Sequence, residues 1–129
     1  MRAKLELYQY PACSTCRKAV AFLRGKGLQF TSTDLVKDPP TAGQLRALWQ
    51  ASGQPLQALF NVSGESYRAG GFKDRLGAMS DEEKLAALAA DGKLVKRPLL
   101  AVRDGEGRLV RALVGLREEA WSDALGSLT

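Results

Sequence analysis

Residues 3–9, Ala-Lys-Leu-Glu-Leu-Tyr-Gln, alternate apolar and polar side chains with a period of two, the pattern of a strand that buries one face. Pro11 closes this run. Beyond Ser14 and Thr15, both residues that favour helix N-caps, Cys16, Ala19, Val20 and Leu23 recur at helical spacing until Gly25 and Gly27 stop them. Residues 28–33, with Phe30 and two threonines, predict a second strand. The three elements together form a β-α-β crossover, which would be parallel and right-handed.

Asp38-Pro39-Pro40-Thr41 breaks the pattern, and Leu45, Leu48 and Trp49 then predict an amphipathic helix ending near Ser52-Gly53. From 54 to 77 the periodicity is irregular, as expected of short helices and turns, with Leu56, Leu59, Phe60, Tyr67 and Phe72 as core candidates. Ser80-Asp81-Glu82-Glu83 reads as a capping box, opening a helix with Leu85, Ala86, Leu88 and Ala89 on one face and its end at Asp91-Gly92. Residues 98–102 and 108–113 flank Asp104-Gly105-Glu106-Gly107, a hairpin pattern. Residues 117–125 predict a last helix with Ala120, Trp121, Ala124 and Leu125 inward. The expected architecture is α/β: one domain over 1–129, with β-α-β, a helical layer over about 40–91, and β-β-α.

Composition narrows the functional classes. A chain of 129 residues with 45% hydrophobic content can bury one core. No apolar run approaches the ~20 residues that cross a bilayer, and residues 1–4 lead directly into an amphipathic stretch, so a cytoplasmic location is expected. Nineteen Lys and Arg against 14 Asp and Glu give a net charge of +5, which suits anionic partners. The basic residues are scattered, however, as on a solvated surface, and no helix combines a basic face with stacking aromatics, so direct nucleic-acid binding is not expected.

The cysteines carry the chemistry. There are two, in Cys13-Ser14-Thr15-Cys16, and no histidine, which falls short of the four Cys or His ligands of a closed zinc site and removes every His-based catalytic triad. No metal is expected, and a C-x-x-C pair in a cytosolic setting then reads as redox. Cys13 lies just before a helix, where free amide hydrogens and the positive end of the dipole favour a thiolate, with Arg17 and Lys18 in the first turn. Cys16, one turn inside, can attack a mixed disulfide formed at Cys13. The assignment is Cys13 as nucleophile and Cys16 as resolving thiol. A free Cys is also commonly a small buried hydrophobe, a description that fits Cys16 on its apolar stripe better than Cys13 in its polar turn. Arg97, before Pro98, reads equally as a site residue or a solvated turn residue.

Tyr10-Pro11-Ala12-Cys13-Ser14-Thr15-Cys16-Arg17-Lys18-Ala19, with Lys96-Arg97-Pro98 about eighty residues on, resembles the arsenate reductase family that also contains the Spx-type regulators. The likeness extends through Leu59-Phe60-Asn61 and Val114-Gly115-Leu116-Arg117-Glu118-Glu119-Ala120-Trp121. It implies a thioredoxin-like (glutaredoxin-like) fold with a helical insertion, a cis Arg97-Pro98 bond beside the thiol, Arg97 as a catalytic residue, and Arg17, Pro98 and Arg111 at the substrate. It also implies no bound cofactor, glutathione, glutaredoxin or a thioredoxin-type protein as electron donor, and a monomer. Glutaredoxin-linked arsenate reductases typically carry Ser at the position of Cys16 and an arginine near Phe60-Asn61-Val62, which is absent here. The C-x-x-C form is closer to Spx-type proteins, in which an internal disulfide is a switch and RNA polymerase is the partner.

Overall fold

The computed structural model describes residues 3–126. A four-stranded sheet runs in the order β2-β1-β3-β4. β1 (Lys4–Gln9) lies parallel to β2 (Thr31–Asp34) and antiparallel to β3 (Leu99–Arg103), which pairs in turn with antiparallel β4 (Leu109–Val114). α1 (Ser14–Gly25) makes the β1-to-β2 crossover, and α6 (Glu118–Leu125) closes the described chain. Between β2 and β3 come α2 (Ala42–Ser52), two short helices α3 (Glu65–Ala69) and α4 (Phe72–Arg75), and α5 (Asp81–Ala90), with 3-10 turns at Leu56–Leu59, Leu76–Ala78 and Gly92–Leu94. This is the β-α-β, helical layer, β-β-α order expected of a thioredoxin-like fold.

The sheet divides the core in two. Leu5, Leu7, Leu100, Val102 and Leu113 face Ala19 and Leu23 of α1 and Trp121 and Leu125 of α6. Tyr8, Leu99, Ala101 and Ala112 face the helical layer, where Leu45, Leu48, Leu59, Phe60, Leu85 and Leu88 pack. β3 is central and covered on both faces, so its first four residues Leu99–Val102 are all buried and show no alternation.

Local chemistry explains the boundaries. Thr41 and Ser80 each close a capping box, with Gln44 and Glu83, at the starts of α2 and α5. α1 ends where Gly27 adopts φ 73° and the Leu28 amide donates to the Leu23 carbonyl, a left-handed cap that leaves residues 28–30 outside the ladder. The second strand is therefore shorter than its hydrophobic pattern and begins at Thr31. In the hairpin, the Asp104 carboxylate accepts from the amides of Glu106 and Arg108 at 2.9 and 3.0 Å, which organises the loop.

Three expectations need correction. Ser14 and Thr15 are not the N-cap of α1; Cys13 is, because the turn before it ends one residue earlier than the pattern implies. On α5, Ala86 is exposed and Lys84 is buried in its place, a long stem that covers apolar surface better than a methyl group. Ala120 is exposed as well, since only Trp121 and Leu125 of α6 reach full burial.

Candidate active site

The chain leaves β1 at Gln9 and turns at once. Pro11 sits at the second position of a turn in which the Cys13 amide donates to the Tyr10 carbonyl at 2.9 Å, the place where a fixed φ is favourable. This turn delivers Cys13 to the N-cap of α1 in an extended conformation, φ −85° and ψ 123°. A cap residue normally turns a side-chain oxygen toward the second and third amides of the helix. Here the group in that position is a thiol. The sulfur forms no capping hydrogen bond, but those amides belong to Thr15 and Cys16 and lower its pKa.

Partial burial raises the Cys13 pKa, and the Cys16 amide, the Cys16 thiol, the Thr15 amide and the Arg97 guanidinium together outweigh it, holding the thiol below its ordinary value. Cys16 behaves oppositely. It is fully buried, and burial together with the neighbouring Cys13 pushes it up to about 12, against a lowering by the Tyr10 amide, which donates to its sulfur at 3.4 Å, and by Arg97. The two neighbouring thiols are thus pushed in opposite directions, and Cys13 is the one that ionises first.

Arg97 enters at the same end of the sheet, because β3 runs antiparallel to β1 and its first residue, Leu99, lies opposite Tyr8. Its backbone precedes Pro98 across a cis peptide bond, and a short bridge between Phe60 and Val95 steadies the approach, with the Lys96 amide donating to the Leu59 carbonyl at 2.7 Å. The guanidinium donates to the Lys93 carbonyl at 3.1 Å and lies over the Tyr10 ring at 5.2 Å. Both contacts fix it beside the thiol pair.

Cys13 opens onto a cavity of about 420 Å³ whose lining includes Thr15, Asn61, Ser63, Lys96, Arg97 and Arg117. Three of its lining residues are cations and none is a carboxylate. A larger hollow of about 980 Å³ at Lys4, Phe30 and Arg103 lies at the opposite end of β1, remote from either thiol.

The expected residues are distributed as follows. Cys13, Cys16 and Arg97 come together, with buried Pro98 directly behind Arg97. Arg17 is exposed on the first turn of α1 and donates to the Pro11 carbonyl at 3.1 Å, so it braces the turn and does not line the cavity. Arg111 is exposed on β4 opposite Val102, also outside the lining. Sequence reasoning missed Lys96 and Arg117, although both fall inside stretches quoted for the family resemblance; their signal was adjacency to Arg97 and to Gly115. Among the described residues no group of three or more His, Cys, Asp or Glu could hold a metal, and no helix is long and apolar enough to cross a membrane.

The pKa directions give an expected result. Alkylation of Cys13, measured against pH in Cys16→Ser so that one thiol reports, should show a midpoint below the ~8.5 of an unperturbed thiol. Arg97→Ala should move that midpoint upward, because it removes one of the groups that favour the thiolate. A midpoint at or above the ordinary value in the parent would contradict the activated-thiol reading.

Comparison with known proteins gives a consistent set. The model of the ArsC family matches residues 8–124. The structure of an ArsC family related protein from Bacteroides fragilis superposes with a TM-score of 0.86 at 39% identity, covering 93% of this chain and 96% of that one. An arsenate reductase of Rhizobium meliloti is 31% identical over 94 residues, 73% of this chain and 66% of its own. The regulatory protein MgsR of Bacillus subtilis is 24% identical over 100 residues, 78% of each chain.

Proposed function

This chain belongs to the ArsC family, and from that premise we propose that it is a thiol-dependent oxidoreductase in which Cys13 attacks a small oxyanion or a disulfide and Cys16 resolves the intermediate. The observation that carries this reading is the meeting of a thiol held below its ordinary pKa with a cavity lined by three cations and no carboxylate. Such a site concentrates anions next to a nucleophile.

With a disulfide substrate, the Cys13 thiolate forms a bond to one sulfur and expels the other as a thiolate. Cys16 then gives up its proton, attacks the Cys13 sulfur, and releases the second half of the substrate as a thiolate. Two electrons have left the protein, which now holds a Cys13–Cys16 disulfide, and glutathione or a thioredoxin-type dithiol restores them while becoming a disulfide itself. With an oxyanion such as arsenate, the Cys13 thiolate forms a sulfur–arsenic bond and displaces one hydroxyl, which takes a proton from solvent and leaves as water. A second thiol, from Cys16 or glutathione, attacks Cys13 and the bonding pair departs with the reduced oxyanion. In both routes the buried Cys16 is shielded from bulky reagents, so oxidation enters through Cys13.

The similarity to the regulatory protein MgsR supports a second reading, in which this chain is a regulator; the resemblance to Spx-type proteins would make the same disulfide its switch and RNA polymerase its partner. Two measurements separate them. Mild oxidation should remove two hydrogens from the intact mass, as a disulfide between residues three apart requires; its absence would reduce Cys16 to a packing residue. Arsenate or glutathione mixed disulfides, supplied with glutathione and glutaredoxin or with thioredoxin, should be turned over. No turnover with any of them, together with co-purification of polymerase subunits, would replace the enzyme by the switch.

A further inference from the structure

The three cations of the cavity are not equivalent. Arg97 is engaged twice, by the Lys93 carbonyl and by the Tyr10 ring, and it acts on the Cys13 sulfur. Lys96 and Arg117 form no ion pair with a carboxylate among the described residues. Both line the cavity into which Cys13 opens.

Their placement is built into the backbone. Gly115 has φ 69°, its amide donates to the Pro98 carbonyl at 2.8 Å, and its carbonyl accepts from the Trp121 indole at 3.0 Å. A Cβ on Gly115 would stand 3.1 Å from Cε of Lys96 and 4.0 Å from its Nζ. The lysine stem therefore runs along bare backbone that any other residue would crowd. Two residues later Arg117 occupies the N-cap of α6 with no capping bond from its side chain, anchored by the Trp121 amide on its carbonyl at 2.8 Å. One glycine turn thus brings both cations to the rim facing the nucleophile.

We propose that Lys96 and Arg117 are specificity-determining residues that hold the negatively charged end of the substrate, while Arg97 serves the sulfur. The substrate class that follows is a small anion whose charge lies next to the atom Cys13 attacks; neutral electrophiles gain nothing from the pair. This rests on Cys13 as the nucleophile but not on turnover.

The test uses two alkylating reagents that differ in charge. With iodoacetate or iodoacetamide the Cys13 thiolate forms a bond to the methylene carbon and iodide leaves, so the chemical step is shared. In full-length Cys16→Ser protein, adding Lys96→Met and Arg117→Gln should lower the iodoacetate-to-iodoacetamide rate ratio by about tenfold, with the iodoacetamide rate within about twofold of the parent. Salt at about 0.5 M should erase most of the difference by screening. Lys96→Arg should keep the parent ratio. Should the double variant fail to melt cooperatively, exposed Arg117→Gln alone decides, with a drop of about threefold expected. A ratio unchanged in the charge-removing variants, or lowered as much by Arg111→Gln, would overturn the assignment. Because alkylation needs no substrate or donor, a negative turnover assay leaves this outcome readable.

Discussion

Replacing Cys13 with Ser should abolish turnover, by at least about a thousandfold, while leaving the melting temperature close to that of the parent. A serine hydroxyl at the N-cap is a better capping group than a thiol, so the fold loses nothing there. It is, however, un-ionised at neutral pH, and the chain contains no histidine to deprotonate it. The influences that favour the Cys13 thiolate, the amides of Thr15 and Cys16 and the Arg97 guanidinium, are too small to ionise an alcohol. Cys16→Ser should behave differently. It keeps the first chemical step and loses only the internal resolving thiol, so mixed disulfides at Cys13 should accumulate and turnover should survive where glutathione can take over. Equal loss in the two variants would mean that Cys16 is part of the attacking group, against the division of roles proposed here.

The largest effect on stability is expected at Trp121. Its ring is 1% exposed, meets Phe22 edge-on at 6.2 Å, and donates its indole proton to the Gly115 carbonyl. Trp121→Ala opens a cavity between α1, α6 and the sheet and leaves that carbonyl without its partner, a loss of about 3–5 kcal/mol. Thermal melting should fall by roughly 10–20 °C. Trp121→Phe separates the contributions: it keeps most of the buried ring and removes the hydrogen bond, which should cost about 1 kcal/mol. Since Gly115 carries the turn beside Lys96, Trp121→Phe should also weaken the binding of anionic substrates more than the rate of the bound complex. A variant with full stability and unchanged KM would show that the Gly115 turn is held by its bond to Pro98 alone.

What the sequence disclosed depended on how local the cause was. The 4–9 strand, the helix carrying Cys16, Ala19 and Leu23, the two capping boxes and the hairpin around Asp104 are each determined by residues within a few positions of one another, and all are where their patterns place them. The N-cap of α1 was misread for a nearby reason: Ser14 and Thr15 are better capping residues than Cys13, yet the Pro11 turn fixes the chain direction one residue earlier. The cavity was less legible. Its lining comes from 13 and 15, from 61, 63 and 64, from 96 and 97, and from 114–117, brought together by sheet order and by the glycine turn. No periodicity encodes that meeting, so the family resemblance brought Arg111 forward and passed over Arg117.

The pairing of β1 with β3 has a consequence for how the molecule is made. Lys4 lies opposite Arg103, so the central ladder joins segments about a hundred residues apart, with the whole helical layer enclosed in the loop between them. A contact of such long range is slow to form, because the entropy of closing the loop is spent before the sheet returns any of it. The first strand can find its antiparallel neighbour only after residues 99–103 have been made. Until then Cys13 lacks Arg97, one of the groups that favour its thiolate, and has only those of its own helix start. The full set of groups around Cys13 is thus assembled only when the sheet closes across that loop.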